Sequence, residues 1–182
     1  MRTMKYNPIT VFNHNFTSQD KIFLDANIWL YLYGPPKLKS RWRPIYNTVF
    51  NDILKANSQI YIDALVVSEF INTYARLEWK LTSPHINQFK DFRNDPSFKP
   101  VAVNIAADVK LVLNHCSQVE SGFTTLPMNS LLNDYATGDF DFNDQVITEI
   151  CKSNGFTLIT NDGDFKTQKI PVLTANQSLL SN

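Results

Sequence analysis

Short apolar runs alternate along the chain with longer segments of helical periodicity. Apolar residues that recur every three or four positions predict amphipathic helices at residues 41–56, 64–81 and 141–153. A short apolar run predicts a buried strand at residues 21–25, and further short strands are expected at residues 59–62, 156–160 and 170–173. A further short strand is expected at residues 123–126, and further helices at residues 27–33, 83–93, 101–116 and 129–135. Strands that alternate with helices in this way predict an α/β fold, with a parallel sheet covered by helices on both faces.

Acidic residues follow the predicted strands at the edge where parallel sheets bind ligands. Asp25 ends the first strand, and Asp162 comes two residues after the strand at 156–160. Glu69 lies in the second turn of the helix that follows strand 59–62. Asp141 and Asp144 begin the helix that leads into strand 156–160 and share one of its faces. The topology therefore brings these carboxylates to one edge.

Carboxylates gathered without matching Lys or Arg side chains repel one another unless a cation lies between them. These ligands offer only oxygen atoms, which suits Mg²⁺ or Mn²⁺. Because Mg²⁺ combines a few carboxylates with substrate phosphates, the natural chemistry is hydrolysis of a phosphodiester bond.

Four acidic segments stand in order along the chain: residues 23–29 (FLDANIW), 68–72 (SEFIN), 142–147 (FNDQVI) and 158–165 (LITNDGDF). They resemble the acidic motifs of the PIN-domain ribonucleases, and of the VapC-like toxins in particular, from residue 21 to about residue 173. The resemblance implies a three-layer sandwich around a mainly parallel, five-stranded sheet. It also implies a metal-dependent endoribonuclease, the toxin of a toxin–antitoxin pair, whose products carry 5′-phosphate and 3′-hydroxyl ends. By the same resemblance, the metal-binding and catalytic acids are Asp25, Glu69, Asp144 and Asp162.

Each acid also has a local explanation. Asp25 and Asp141 are typical helix N-caps, Glu69 could be solvated, and Asp162 belongs to a sequence rich in turn formers. We assign capping mainly to Asp141 and metal binding mainly to Asp144. Asp141 is also expected to support the metal ligands without binding the ion itself.

Neighbouring polar residues are expected to assist these acids. Asp164 is an auxiliary metal ligand ranked below Asp162, and Asn27 and Thr160 are expected to hydrogen-bond to the carboxylates, with ordinary backbone capping as an equal alternative.

Basic and aromatic residues near the predicted site are weaker candidates for contacts with RNA or with a partner protein. Arg41, Arg43 and Arg76 could contact RNA phosphates, and Trp42 could stack on a base, although a solvated surface explains them more commonly. The aromatic side chains Trp29, Tyr31, Tyr33 and Trp79 fit either a homodimer or antitoxin surface or core packing.

Composition restricts the remaining possibilities. The 17 basic and 17 acidic residues give a net charge of +0, so attraction to RNA must be local or come from the metal ion. Without an apolar run of membrane-spanning length or a secretory signal, we expect a cytoplasmic protein that has no membrane partner. We divide it into an N-terminal arm, residues 1–20, and a nuclease domain, residues 21–182.

Other functional classes compete with the nuclease hypothesis. A receiver-type signalling domain needs a phospho-accepting Asp after its third strand and a Lys after its fifth, and this chain offers neither. A haloacid-type phosphatase needs a second Asp where Asn27 stands. A catalytically silent PIN fold that binds RNA or protein is the main alternative, and a DNA substrate stays open because the chemistry needs no 2′-hydroxyl.

Overall fold

The computed structural model describes residues 7–181 and shows helices on both sides of one sheet. The strands are β1 (Ile9–Thr10), β2 (Lys21–Leu24), β3 (Gln59–Ile62), β4 (Ser117–Gln118), β5 (Thr157–Ile159) and β6 (Val172–Thr174). The helices are α1 (Ala26–Tyr33), α2 (Trp42–Lys55), α3 (Ala64–Thr82), α4 (Phe89–Asn94), α5 (Phe98–Asn114), α6 (Met128–Tyr135), α7 (Phe142–Asn154) and α8 (Gln177–Leu180).

All strand pairs in the described chain are parallel, and the order across the sheet is β1-β6-β5-β2-β3-β4. This confirms the predicted α/β class and parallel sheet, although the sheet has six strands and not five. The additional edge strand β1 pairs Ile9 with Leu173 and comes from the segment assigned to the N-terminal arm. Residues 1–6 of that arm, and residue 182, lie outside the described residues.

One predicted strand was wrong, and one predicted helix begins later than expected. Residues Phe123–Thr125 form a 3-10 turn with no buried residue, and Phe123 is 68 % exposed. The two threonines in this segment leave it without the continuous apolar face that a buried strand needs. The edge strand beside β3 is instead β4, which consists of the polar residues Ser117 and Gln118.

The helix expected from Ser83-Pro84 begins only at Phe89. The backbone N–H of Ser83 instead donates to the Trp79 carbonyl and ends α3. The Ser-Pro pair is therefore part of a turn.

The core lies on both faces of the central strands. Ile22, Phe23 and Leu24 of β2 are at most 1 % exposed, as expected for a strand covered on both faces. Trp29 is fully buried, which favours core packing over the alternative of a partner surface for that residue. In residues 7–181, no helix has both the length and the apolar character that crossing a membrane requires.

The order of the strands determines which residues meet at the C-terminal edge of the sheet. Strand β2 lies between β5 and β3. Asp25 follows β2, and its backbone N–H donates to the carbonyl of Ile159 at the end of β5 at 3.1 Å. The loop that follows β5 therefore begins beside Asp25.

Candidate active site

Asp25 is held rigidly at the centre of this edge. It is 4 % exposed, and its Oδ1 accepts a hydrogen bond from the Ala26 N–H at 2.6 Å, which caps α1. Its Oδ2 accepts from the Thr160 hydroxyl at 2.6 Å and from the Asn27 side-chain amide. Burial raises the pKa of Asp25 to about 6, while these hydrogen bonds act in the opposite direction and the charge of Asp162 adds to the rise.

Asn27 and Thr160 link the ends of β2 and β5. The Asn27 amide also donates to the Thr160 hydroxyl at 3.1 Å, and its carbonyl oxygen accepts from the backbone N–H of Asn161 at 3.2 Å. Both residues therefore hydrogen-bond within the site, as expected from the sequence. Their assistance to a metal ion stays a prediction.

Asn161 is a further organising residue, and sequence reasoning missed it. Its side-chain oxygen accepts from the Tyr46 hydroxyl at 2.9 Å, and its carbonyl accepts from the Asn176 amide at 2.9 Å. The Tyr46 hydroxyl also accepts from the Ala175 N–H at 3.1 Å. These bonds join α2 and the end of β6 to the loop that carries Asp162.

The Tyr46 hydroxyl is therefore expected to stabilise this loop measurably. Tyr46→Phe keeps the buried ring but leaves two partners unsatisfied, so we expect the free energy of unfolding to fall by about 1–3 kcal/mol. Tyr61→Phe removes a hydroxyl whose hydrogen bond is exposed and should change it by less than about 0.5 kcal/mol. Denaturant unfolding of both variants tests this, and equal effects would contradict the structural role of the buried hydroxyl.

Glu69 and Asp144 approach Asp25 from two helices, α3 and α7. Both are half-buried, and both interact electrostatically with Asp25, Asp141 and Asp162. Burial, followed by these negative charges, raises the pKa of Glu69 to about 7 and that of Asp144 to about 8. Clustered carboxylates with raised pKa values are typical of functional sites.

Asp162, Asp164 and Asp141 lie at the exposed rim of the site. Asp162 caps the 3-10 turn Gly163–Thr167 by accepting from the Asp164 N–H at 3.1 Å. Asp141 caps α7 by accepting from the Asn143 N–H at 2.8 Å and the Asp144 N–H at 3.4 Å, as the sequence predicts. The charges of Asp164 and Asp141 both act on Asp144.

Lys and Arg side chains do not neutralise this cluster. In the part of the chain that the structure describes, the ion pairs involve Asp20, Asp52 and Glu149 and none of the candidate acids. The excess negative charge and the all-oxygen donors fit a hard divalent cation.

The spacing of the acids restricts how an ion could bind. Among residues 7–181, no three His, Cys, Asp or Glu side chains are placed to hold a metal ion directly. Mg²⁺ usually keeps several waters and binds proteins through one or two carboxylates, so the residues present fit such an ion.

Comparisons with known proteins agree with this arrangement. Residues 22–170 match the family model described as PIN domain. The chain belongs to the PIN domain family.

The structural comparison adds support for the fold of this PIN domain. The crystal structure of VapBC2 from Rickettsia felis, bound to a DNA fragment from their promoter, is similar with a TM-score of 0.56 and 15% identity. The match covers 85% of this chain and 98% of that one, and at this identity it shows the fold alone. No curated protein sequence matches the chain.

The raised pKa values predict how the stability of the metal-free PIN domain changes with pH. Between about pH 4 and pH 8 the folded state holds protons on Asp25, Glu69 and Asp144 that the unfolded chain releases. Raising the pH through this window should therefore lower Tm, by about 2–4 °C for each kcal/mol lost.

Calorimetry with a chelator present measures this dependence, and Asp144→Asn should flatten it. Asp52→Asn, which changes an exposed carboxylate, should leave it unaltered. A Tm of the wild type that rises steadily from pH 5 to pH 8 would contradict the electrostatic description of the site.

The predicted RNA-contacting arginines differ in their surroundings. Arg43 donates to the carbonyls of Gly34 and Pro35 at 3.2 and 3.0 Å and thus braces the loop after α1. The Arg41 guanidinium lies 4.4 Å from the centre of the Trp42 ring, and Arg76 is exposed on α3. Contact between these arginines and RNA stays a prediction.

Proposed function

We propose that this PIN domain is a metal-dependent endoribonuclease that hydrolyses RNA phosphodiester bonds. The observation that carries the proposal is the electrostatic coupling of Asp25, Glu69, Asp144 and Asp162 at one edge of the sheet, where no Lys or Arg of the described chain pairs with them. A divalent cation beside such a cluster stabilises its charged form.

The carboxylates of Asp25, Glu69, Asp144 and Asp162 would hold the cation, Mg²⁺ or Mn²⁺, one or two of them directly and the others through its water molecules, with Asp164 as an auxiliary ligand. When bound, such a cation lowers the pKa of a water molecule and neutralises the negative charge of the scissile phosphate. Asp25 serves as the fixed point of the site because its two oxygens are already oriented by Ala26, Asn27 and Thr160.

Asp144 is the acid best suited to orient the attacking water. It is half-buried, and its charge interacts with those of Asp25 and Asp162, so its carboxylate lies beside the acids that would hold the cation. It lies in the first turn of α7, with the Asp141 cap beside it. Asp141 thus fixes the start of the helix that presents Asp144.

A cleavage assay tests the proposed reaction. Purified protein is incubated with labelled single-stranded RNA and Mn²⁺, and we expect fragments with 5′-phosphate and 3′-hydroxyl ends. Ends bearing a 2′,3′-cyclic phosphate would overturn the mechanism, because they indicate attack by the RNA's own 2′-hydroxyl. RNA that is bound but left intact would favour the silent PIN module, and a parallel DNA substrate decides the specificity for the sugar.

We further propose that the protein is the toxin of a toxin–antitoxin pair, acting on RNA in the cytoplasm. The structural similarity to a VapBC2 complex supports this. A cleft of about 590 Å³ at the start of α3 offers an antitoxin segment an apolar surface formed by Val67, Ile71, Leu113 and Val119. A homodimer of the toxin is part of the same proposal.

A further inference from the structure

A second cleft, of about 550 Å³, lies where α3, α4 and α5 meet. We call it the basic pocket, and it is lined by Asn72, Arg76, Phe89, Lys90, Arg93, Asn94 and Phe98. In the described chain its lining thus combines three cations with two aromatic rings and contains no carboxylate. This composition contrasts with the acidic edge of the sheet.

The short helix α4 is anchored so that its cations face this pocket. Phe92 is fully buried, and its ring lies 6.3 Å from Phe89 and 5.4 Å from Phe98, measured between ring centres. Lys90 and Arg93 are three residues apart on α4 and share one face. The pocket is therefore a packed feature and not a loose run of surface charge.

The three cations are available to an anion. The Arg76 guanidinium lies 4.5 Å from the centre of the Phe89 ring, which orients it without using a carboxylate. Within residues 7–181, none of Arg76, Lys90 and Arg93 forms an ion pair. Asp91 and Asp95 belong to the same short segment, but neither lines the pocket, so its lining carries an excess of positive charge.

Helix α3 connects the basic pocket with the candidate active site. Glu69 and Arg76 are seven residues apart on this helix, so they share a face about 10 Å apart along its axis. Asn72 lies between them and lines the pocket. A polymer that crosses the acidic edge can therefore continue along α3 into the pocket.

We propose that the basic pocket binds the phosphodiester backbone of single-stranded RNA, next to the nucleotides that are cut. This inference rests on the proposed ribonuclease function and adds a substrate-binding site to it. Cations bind phosphates, and the exposed part of a half-buried ring can stack on a base; the Phe98 ring offers such a surface, whereas Arg76 already covers one face of the Phe89 ring. Proteins bind single-stranded nucleic acids through this combination of cations and aromatic rings. An acidic protein segment is the alternative occupant, and competition by polyglutamate tests for it.

The test measures binding without cleavage. The Asp25→Asn protein is titrated, with a chelator present, into fluorescein-labelled single-stranded oligouridylate, and fluorescence anisotropy is followed at several salt concentrations. Adding Lys90→Gln and Arg93→Gln should weaken binding by about 10-fold or more at low salt. It should also reduce the slope of log affinity against log salt by about 1.4, since each phosphate contact in a single strand contributes about 0.7.

The matched control is Lys55→Gln with Lys152→Gln, which removes two exposed cations outside the pocket. Thermal melting verifies that both double variants are folded. Equal affinities of the two double variants would overturn the proposal, and so would competition by polyglutamate as strong as that by unlabelled RNA. If the wild type cleaves no RNA while the pocket variant still loses binding, the ribonuclease function fails and the binding site stands. If the wild type cleaves but the pocket variant binds normally, only the binding site fails.

Discussion

Replacing Asp25 with asparagine is expected to lower the rate of RNA cleavage by about 100-fold or more. Loss of residues that merely support metal ligands costs about 10–100-fold, so the loss of a central carboxylate should cost at least as much. Asparagine is as good a helix cap as aspartate and keeps an oxygen for the Ala26 N–H. Its amide nitrogen stands in place of Oδ2 and can donate to the Thr160 hydroxyl, so only the hydrogen bond from the Asn27 amide is lost. The variant should therefore fold, and the lost activity should reflect the lost charge.

The matched control for this experiment is Asp52→Asn. Asp52 is exposed on α2, pairs with Lys55 and undergoes the same chemical change. We expect its cleavage rate to equal that of the wild type. A folded Asp25→Asn protein that cleaves RNA at the normal rate would remove Asp25 from the site and, with it, the assignment of the other acids.

Removal of divalent ions is expected to abolish cleavage, and Mn²⁺ or Mg²⁺ should restore it. Binding of an ion should also raise Tm, because a ligand at about 100 times its Kd stabilises the folded state by about 2.7 kcal/mol. The rise should be larger at pH 8 than at pH 6, since protons compete for carboxylates whose pKa values are about 6, 7 and 8.

Calorimetry with and without Mn²⁺ at the two pH values measures this coupling. The Asp25→Asn protein should show a much smaller rise in Tm, whereas Asp52→Asn should respond like the wild type. Cleavage that persists after exhaustive chelation would contradict metal dependence. An equal rise in Tm for all three proteins would place the ion elsewhere.

The residues that meet at the C-terminal edge of the sheet can be predicted from the sequence, because the helices and strands that form this edge have clear hydrophobic patterns. Helices α2, α3 and α7 have clear apolar faces, and β2 and β5 consist mainly of buried apolar residues. Parallel topology then brings together whatever follows β2 and β5. The assignment of Asp25 and Asp162 to one edge needed nothing further.

The two strands that the sequence did not predict, β1 and β4, lack such a pattern. Strand β4 consists of Ser117 and Gln118, which carry no apolar signal and are recognised only by their pairing with Tyr61 and Ile62. Strand β1 has two residues, and its pairing with β6 brings together distant parts of the chain. A periodicity argument cannot find strands of this kind.

The hydrogen bonds around Asn161 are equally non-local. Tyr46 reaches it across 115 positions in the sequence, and nothing near Tyr46 indicates this partner. The only signal available was that Asn161 stands directly between Thr160 and Asp162, at the end of a predicted strand. Packing, and not local pattern, determines which residues support the acids.

The position of a bound ion tests the central claim most directly. Crystals of the wild-type protein soaked in Mn²⁺ should show an anomalous difference peak among the carboxylates of Asp25, Glu69, Asp144 and Asp162. Crystals of the Asp25→Asn protein should show a weaker peak or none. If the wild-type crystals, soaked at a pH above 8, contain Mn²⁺ only at other places, or the four carboxylates bind Lys and Arg side chains instead, the proposed metal site is contradicted.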